Sequence, residues 1–252
     1  MLPNLTRKRL ANIPLSETCK SIVLGTILGD GSLNIQKGYK NARLTIKHSI
    51  IQQSYFNWLA SSLNEIANPG SVILCKPSGF SKFSKNEKLQ FQSKSCENLT
   101  KIHEITYKKN KLDIKRSWLN HLTPLSLMVW WLDDGSLVGG GRQGVLCTDG
   151  FDKKSVEIIV QYLEKVWNVK GRIGVTRGTK GTKYENKEYY KIYLGTSELK
   201  KFLIIIMPEI PIKEMVYKVT LKYKDKEMQQ RWISTMKEHM KAHIIEENDI
   251  VQ

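Results

Sequence analysis

Apolar positions along this chain follow three rhythms. Residues 23–33 (Val-Leu-Gly-Thr-Ile-Leu-Gly-Asp-Gly-Ser-Leu) and 127–137 (Leu-Met-Val-Trp-Trp-Leu-Asp-Asp-Gly-Ser-Leu) open as apolar runs without alternation and with few turn residues. Such runs predict buried helices. Elsewhere the pattern alternates strictly. Leu33 and Ile35 alternate with Ser32, Asn34 and Gln36, Leu44 and Ile46 with Arg43, Thr45 and Lys47, and Leu89 and Phe91 with Lys88, Gln90 and Gln92. Strands of this kind carry one apolar and one polar, basic face, and form antiparallel sheets covered on one side only. Helical spacing marks about 52–64 (Tyr55, Phe56, Leu59, Leu63) and 155–168 (Val156, Ile159, Val160, Leu163, Trp167).

Together these elements read helix, hairpin, helix, hairpin, helix, and the order occurs twice. Ser16 is the expected N-cap of a first helix running to Asp30, and Thr123 or Pro124 begins its counterpart. Hairpins are expected over 32–48, 71–94, about 136–149 and 170–194, and further helices over 96–108, 197–206 and 225–243. The repeats align at an offset of 104 residues, pairing Asp30 with Asp134, Gly31 with Gly135, Ser32 with Ser136 and Leu33 with Leu137. The expected organisation is a basic arm (1–12), a first repeat (13–115), a second repeat (116–245) and a frayed C-terminus (246–252). The expected fold class is α+β, a pseudo-twofold duplicated αββαββα chain with two antiparallel saddle sheets.

Each motif helix ends in an acid followed by glycine, where the glycine is expected to supply a left-handed stop. A carboxylate is unfavourable there. It meets the negative end of the helix dipole, loses solvent beside an apolar helix, and repels its twin if the helices pair. A divalent cation compensates all three, and oxygen ligands of this type suit Mg²⁺. An Asp-Gly pair can simply form a turn, but two copies in constant register point to a duplicated site. Adjacent helical residues point about 100° apart, so Asp133 and Asp134 are not expected to reach one cation through both side chains. Trp130 and Trp131, inside the second apolar run, are expected to pack in the core.

Composition adds one decisive fact. The chain has 252 residues and a net charge of +16, with Lys and Arg spread along its whole length. A folded surface of one sign in such excess points to a polyanion. The longest aliphatic stretch, 202–207, is far too short to cross a bilayer, so no membrane partner is expected. Four cysteines (Cys19, Cys75, Cys96, Cys147) lack metal-ligand spacing and are expected as reduced thiols.

The paired motifs resemble those of the LAGLIDADG homing endonucleases, in the single-chain branch with two motifs. The first copy is Val23 to Gly31 and the second Leu127 to Gly135, with the final Asp-Gly matching in both. Leu28 and Leu132 depart from the motif's earlier Asp, Val129 replaces its Gly, and Asp133 stands where a small residue is usual. The resemblance implies a monomer that makes a metal-dependent double-strand break in a long DNA target and leaves 3′ overhangs. It implies that Asp30 and Asp134 hold metal with the carbonyls of Gly29 and Asp133, and that water attacks each scissile phosphate. It also suggests one lysine per half near the metals, Lys111 and Lys218 being the best positional matches. Mg²⁺ is the expected cofactor, with Mn²⁺ substituting and Ca²⁺ supporting binding without cutting. Thr45 and Asp149 fall where relatives often carry Gln.

The partner implied is double-stranded DNA. Base contacts are expected from Asn34, Gln36, Arg43, Thr45, Lys47, Lys88, Gln90 and Gln92 in the first half, and from Arg142, Arg172, Arg177 and Lys191 in the second. Arg pairs with guanine and Gln with adenine in the major groove, while many such side chains bind phosphate instead. Two alternatives stay open: an RNA maturase that binds its host intron RNA, and a non-catalytic DNA-binding regulator. Retention of both acids favours the nuclease. Lys-, Ile- and Asn-rich wording suggests an organellar gene, in a mitochondrion or chloroplast.

Overall fold

A computed structural model describes residues 10–77, 86–182 and 184–244. The expected arm and C-terminus therefore lie largely outside the described residues. Leu10, at the arm's inner end, is buried rather than free.

The chain forms two compact units, and each is discontinuous. The first comprises Met1–Asp113 with His121–Asp133, the second Ile114–Asn120 with Asp134–Gln252. In the first unit come α1 (Glu17–Thr26), β1 (Gly31–Asn34), β2 (Arg43–Ser49), α2 (Gln53–Ser62), β3 (Val72–Cys75), β4 (Lys88–Gln92) and α3 (Glu97–Thr106). A small hairpin, β5 (Tyr107–Lys108) and β6 (Lys111–Leu112), turns through Lys109 and Asn110, both at positive φ. A short helix α4 (Arg116–Leu119) follows, then the second motif helix α5 (Pro124–Asp134). The second unit continues with β7 (Gly135–Val138), β8 (Gln143–Cys147), α6 (Lys153–Trp167), β9 (Arg172–Arg177), β10 (Glu188–Leu194), α7 (Thr196–Ile206) and α8 (Lys226–His239). Each unit holds a four-stranded antiparallel sheet, ordered β1-β2-β4-β3 in the first and β7-β8-β10-β9 in the second. The duplication read from the motif register thus extends to sheet topology.

Local chemistry explains the helix starts. The Ser16 side chain accepts from the Cys19 amide, while the Glu65 carboxylate accepts from the Ser16 amide and hydroxyl. This puts negative charge at the N-terminus of α1, where the helix dipole favours it. Burial, followed by the nearby Glu65 charge, pushes the Cys19 thiol up to about 12. All four cysteines are free. Helix α5 opens with a reciprocal cap: the Thr123 hydroxyl accepts from the Ser126 amide and the Ser126 hydroxyl from the Thr123 amide. Trp130 and Trp131 are fully buried in α5.

Three expectations need correction. Helix α1 stops at Thr26, so Asp30 sits in a turn beyond the helix rather than on its last residue. Neither Gly31 nor Gly135 is left-handed, since both open a strand, and left-handed glycines lie elsewhere, as at Gly38 and Gly70. What position 31 requires is space: a Cβ there would stand 2.8 Å from the Thr26 Cβ. Ile35 lies past the end of β1 and is exposed rather than inward-facing.

Glycine also sets the approach of α1 to α5 within the first unit. A Cβ on Gly25 would lie 2.5 Å from the Ser126 carbonyl oxygen and 2.9 Å from the Val129 Cβ. One turn later, a Cβ on Gly29 would lie 2.5 Å from the Asp133 Cβ and 2.8 Å from its Oδ2. Both obstacles at Gly25 are fixed on helix α5, so a methyl there must separate backbones. Gly25→Ala is expected to lower the unfolding free energy by about 1–3 kcal/mol, as overpacking of a close contact does. Urea denaturation checks this through the midpoint, and an unchanged midpoint would show that the helices can separate freely.

Candidate active site

Asp30 closes the turn after α1 and immediately precedes β1. Its side chain is about two-fifths exposed, at 43%. Three residues gather behind it. His48, on β2, faces inward and is buried, with Nδ1 3.6 Å from Asp30 Oδ2 and Nε2 3.7 Å from Asp133 Oδ1. The Asp133 side chain is fully buried. It accepts from the Tyr55 hydroxyl at 2.9 Å and from the Asp30 backbone amide at 3.3 Å. Tyr55 comes from α2, and its ring meets His48 edge-on with centroids 5.3 Å apart. The Gln52 Oε1 lies 3.3 Å from His48 Nδ1.

Electrostatics fix the donor in this cluster. Burial first, then the Asp133 and Asp30 charges, raise the Tyr55 phenol well above its ordinary value. Tyr55 therefore stays protonated and donates. Asp30, His48 and Asp133 each bring a ligand atom to within 4.8 Å of the others, a group able to hold a metal ion. Their donor set, two carboxylates and an imidazole, fits a divalent cation. Only Asp30 of the three offers its side chain substantially to solvent, since the Asp133 carboxylate is committed to protein donors.

Around Asp134 the second unit places a different set. Lys218 Nζ donates to the carbonyl of Gly135, the residue after Asp134, at 3.1 Å. Lys218 and Lys222 line an open groove of about 660 Å³ beside β7 and the Gly140–Gly141 turn. Lys191 pairs with Asp149 at 3.4 Å. Cys147 lies among Lys191, Asp134, Asp149 and Lys218, and its thiol is raised mainly by burial. Burial pulls Lys191 down, but Cys147 and Asp149 outweigh it, and its net shift is upward. Lys111 lies exposed on β6, opposite Lys108 in the small hairpin.

Strand register sorts the remaining candidates. In the first sheet Asn34 pairs with Arg43, Thr45 with Gln92, Lys47 with Gln90, and Ser49 with Lys88. These positions alternate with the buried Leu44, Ile46, His48, Leu89 and Phe91, so all share the outward face. Ile73 joins them opposite Gln90, from the edge strand β3. Gln36 lies beyond β1 and is exposed. Arg43 stacks on Tyr39 at 4.7 Å. In the second sheet Arg172 lies opposite Tyr193, and Lys191 opposite Gly174 and Cys147, on the face away from Ile192. Arg177 has the parity of Ile173 and falls on the other face, while Arg142 is exposed in the β7–β8 turn.

Sequence reasoning missed His48, Tyr55, Tyr189 and Tyr193. Tyr189 and Tyr193 share the outward face with Lys191, and Lys187 Nζ lies 4.9 Å from the Tyr189 ring. Their alternation along β10 was a usable signal. Nothing in the sequence marks His48, which sits in a strand's inward register and reads as core.

A family model described as "LAGLIDADG DNA endonuclease family" matches residues 20–202. The "Cytochrome b mRNA maturase bI2" of Saccharomyces cerevisiae is 31% identical over 229 residues, covering 86% of this chain and 51% of that protein. The chain thus spans about half the length of that relative. The "Probable intron-encoded endonuclease 1" of Wickerhamomyces canadensis is 26% identical over 212 residues, with 81% of this chain and 85% of that one covered. Among solved structures, the homing endonuclease I-WcaI bound to its DNA recognition sequence superposes with a TM-score of 0.69 at 24% identity, over 83% of this chain and 88% of that one. That likeness establishes the fold.

Tyr55 also generates an alkaline signature. Its folded pKa lies above the unfolded value near 10. Its contribution to stability is therefore complete below about pH 10 and lost as pH rises toward the folded value. In urea melts, the stability gap between the wild type and Tyr55→Phe is expected to narrow above pH 10. A gap constant to pH 11 would place the phenol outside the carboxylate's field.

Proposed function

This chain belongs to the LAGLIDADG DNA endonuclease family, and we propose that it is an intron-encoded homing endonuclease that makes a sequence-specific double-strand break in a long DNA target. One observation carries the reading. An acid in constant register precedes the first strand of each sheet, and each sheet turns polar, basic residues outward on strands of matching order. The chemistry and the recognition surface are thereby joined through one backbone segment per unit.

Each half supplies its own parts. Asp30 and Asp134 are the proposed carboxylate ligands, with the carbonyls of Gly29 and Asp133 completing the protein's share. A divalent cation, proposed as Mg²⁺, would activate water and neutralise charge developing on the scissile phosphate. Lys218, which donates to the Gly135 carbonyl, is proposed to balance phosphate charge, and Lys111 is the proposed counterpart in the first half. The outward residues Asn34, Arg43, Thr45, Lys47, Lys88, Gln90, Gln92, Arg172 and Lys191 are proposed to contact the duplex, with Gln36 and Arg142 at the ends of strands. Arg177 remains a candidate through its long side chain. A two-stranded ribbon fits the major groove, where Gln and Arg discriminate bases.

A maturase role is the second reading, favoured by the likeness to a cytochrome b mRNA maturase. The same likeness and the Lys-, Ile- and Asn-rich wording support an organellar gene.

The test is a cleavage selection from a randomised duplex library with Mg²⁺ and Ca²⁺ in parallel. One long site cut only with Mg²⁺ is expected. Binding without cutting under both ions would favour a regulator, and neither event would favour the maturase. On the selected site, Asp30→Asn and Asp134→Asn are each expected to lower cleavage by at least about 10²-fold with binding retained. Full cutting by either variant would remove that acid from the mechanism. Affinity is expected to fall by about 10³-fold or more between 50 and 200 mM salt, through counterion release. A flat response would argue against a broad phosphate-binding surface.

A further inference from the structure

The two motif acids are not held alike. Asp30's own amide is grasped by a carboxylate from the opposite motif: Asp133 Oδ2 accepts it at 3.3 Å. That carboxylate is in turn fixed by the Tyr55 hydroxyl at 2.9 Å and flanked by His48 Nε2 at 3.7 Å. It occupies the volume that glycine leaves at position 29, where a Cβ would stand 2.5 Å from the Asp133 Cβ. The reciprocal contact has no chemical means to exist. The motif position equivalent to Asp133 is Gly29, which carries no side chain to hold the amide of Asp134.

A fully buried carboxylate is costly unless its oxygens are satisfied. Here both oxygens accept from named donors, and one of those donors belongs to the proposed metal-binding residue. A side chain kept only for packing needs no charge at this point. We propose that Asp133 is a positioning residue for Asp30, held in place by Tyr55, and that cleavage therefore depends on it more in one DNA strand than in the other. The Asp133 side chain is fully buried and acts on the backbone of Asp30. The duplicated motif has become a host and a guest: Gly29 opens the space and Asp133 fills it.

The inference rests on the nuclease reading for its strand consequence but not for its structural part, so two readouts are needed. The first is amide hydrogen exchange at Asp30, followed by NMR in the full chain without DNA or metal. Tyr55→Phe and Asp133→Asn are expected to speed exchange at Asp30 by about tenfold or more. The amide of Asp134 should change little. Asp133→Asn keeps the shape and the Tyr55 contact, so it serves as the variant that folds if Tyr55→Phe does not. Unchanged exchange at Asp30 in both variants would overturn the proposal. So would equal acceleration at Asp30 and Asp134, which signals general loosening.

The second readout is cleavage of a duplex carrying a different end label on each strand. Both variants are expected to slow one strand roughly 10- to 100-fold relative to the other, so that nicked duplex accumulates, as misplacement of a reacting group does. Equal slowing of both strands would overturn the strand dependence. If the parent chain cuts no duplex at all, the nuclease reading fails, while the exchange result still decides whether Asp133 holds Asp30.

Discussion

Backbone-to-backbone contact between α1 and α5 is the constraint on which the first unit depends. Backbones approach this closely only where side chains are missing, and Gly25 on α1 with Gly29 in the turn after it supply the gap. Ser126, Val129 and Asp133 present the opposing surface. The same approach that joins the helices also delivers the Asp133 carboxylate to Asp30. Packing and site chemistry are therefore one arrangement, so widening the helix contact would also release the acid. A membrane helix pair uses small residues in a similar way to let backbones meet.

Charge management follows from that geometry. Close approach brings carboxylates together that would repel in isolation. The structure answers with a neutral donor from α2, the Tyr55 phenol, and with the backbone amide of Asp30 itself. Solvent is left to Asp30, whose carboxylate remains accessible. In the second unit lysines stand near the corresponding segment: Lys218 Nζ donates to the carbonyl of Gly135, the residue after Asp134, and Lys191 pairs with Asp149.

The matching sheets, the strand faces and the placement of Asp30 and Asp134 just before the first strand of each sheet were legible because each writes a short-range pattern. Alternation in 43–47 and 88–92 placed Arg43, Thr45, Lys47, Lys88, Gln90 and Gln92 on one face, and register confirms their shared orientation. Tertiary choices were not legible. Helix α1 ends at Thr26 and the chain turns through 27–30 before β1, a boundary the unbroken apolar run does not mark. His48 was invisible because an inward strand position is ordinarily apolar. The role of Asp133 could not be read because its partner Tyr55 lies 78 residues away. The departure from the motif at 133 was visible, yet only the matching vacancy at Gly29 gives it meaning.

The boundary between the units has a consequence for how such a chain can be divided. Helix α5 belongs to the first unit through Asp133, although it lies beyond the small hairpin and α4 in sequence. A protein ended near residue 115, where the linear repeat finishes, would lose the surface that covers Gly25 and Gly29. An apolar seam would then face water, and the fragment would be expected to pair or precipitate. Half-exchange between relatives faces the same rule: the transferable first piece extends through α5, with 114–120 carried along as a foreign strap that belongs to the other core.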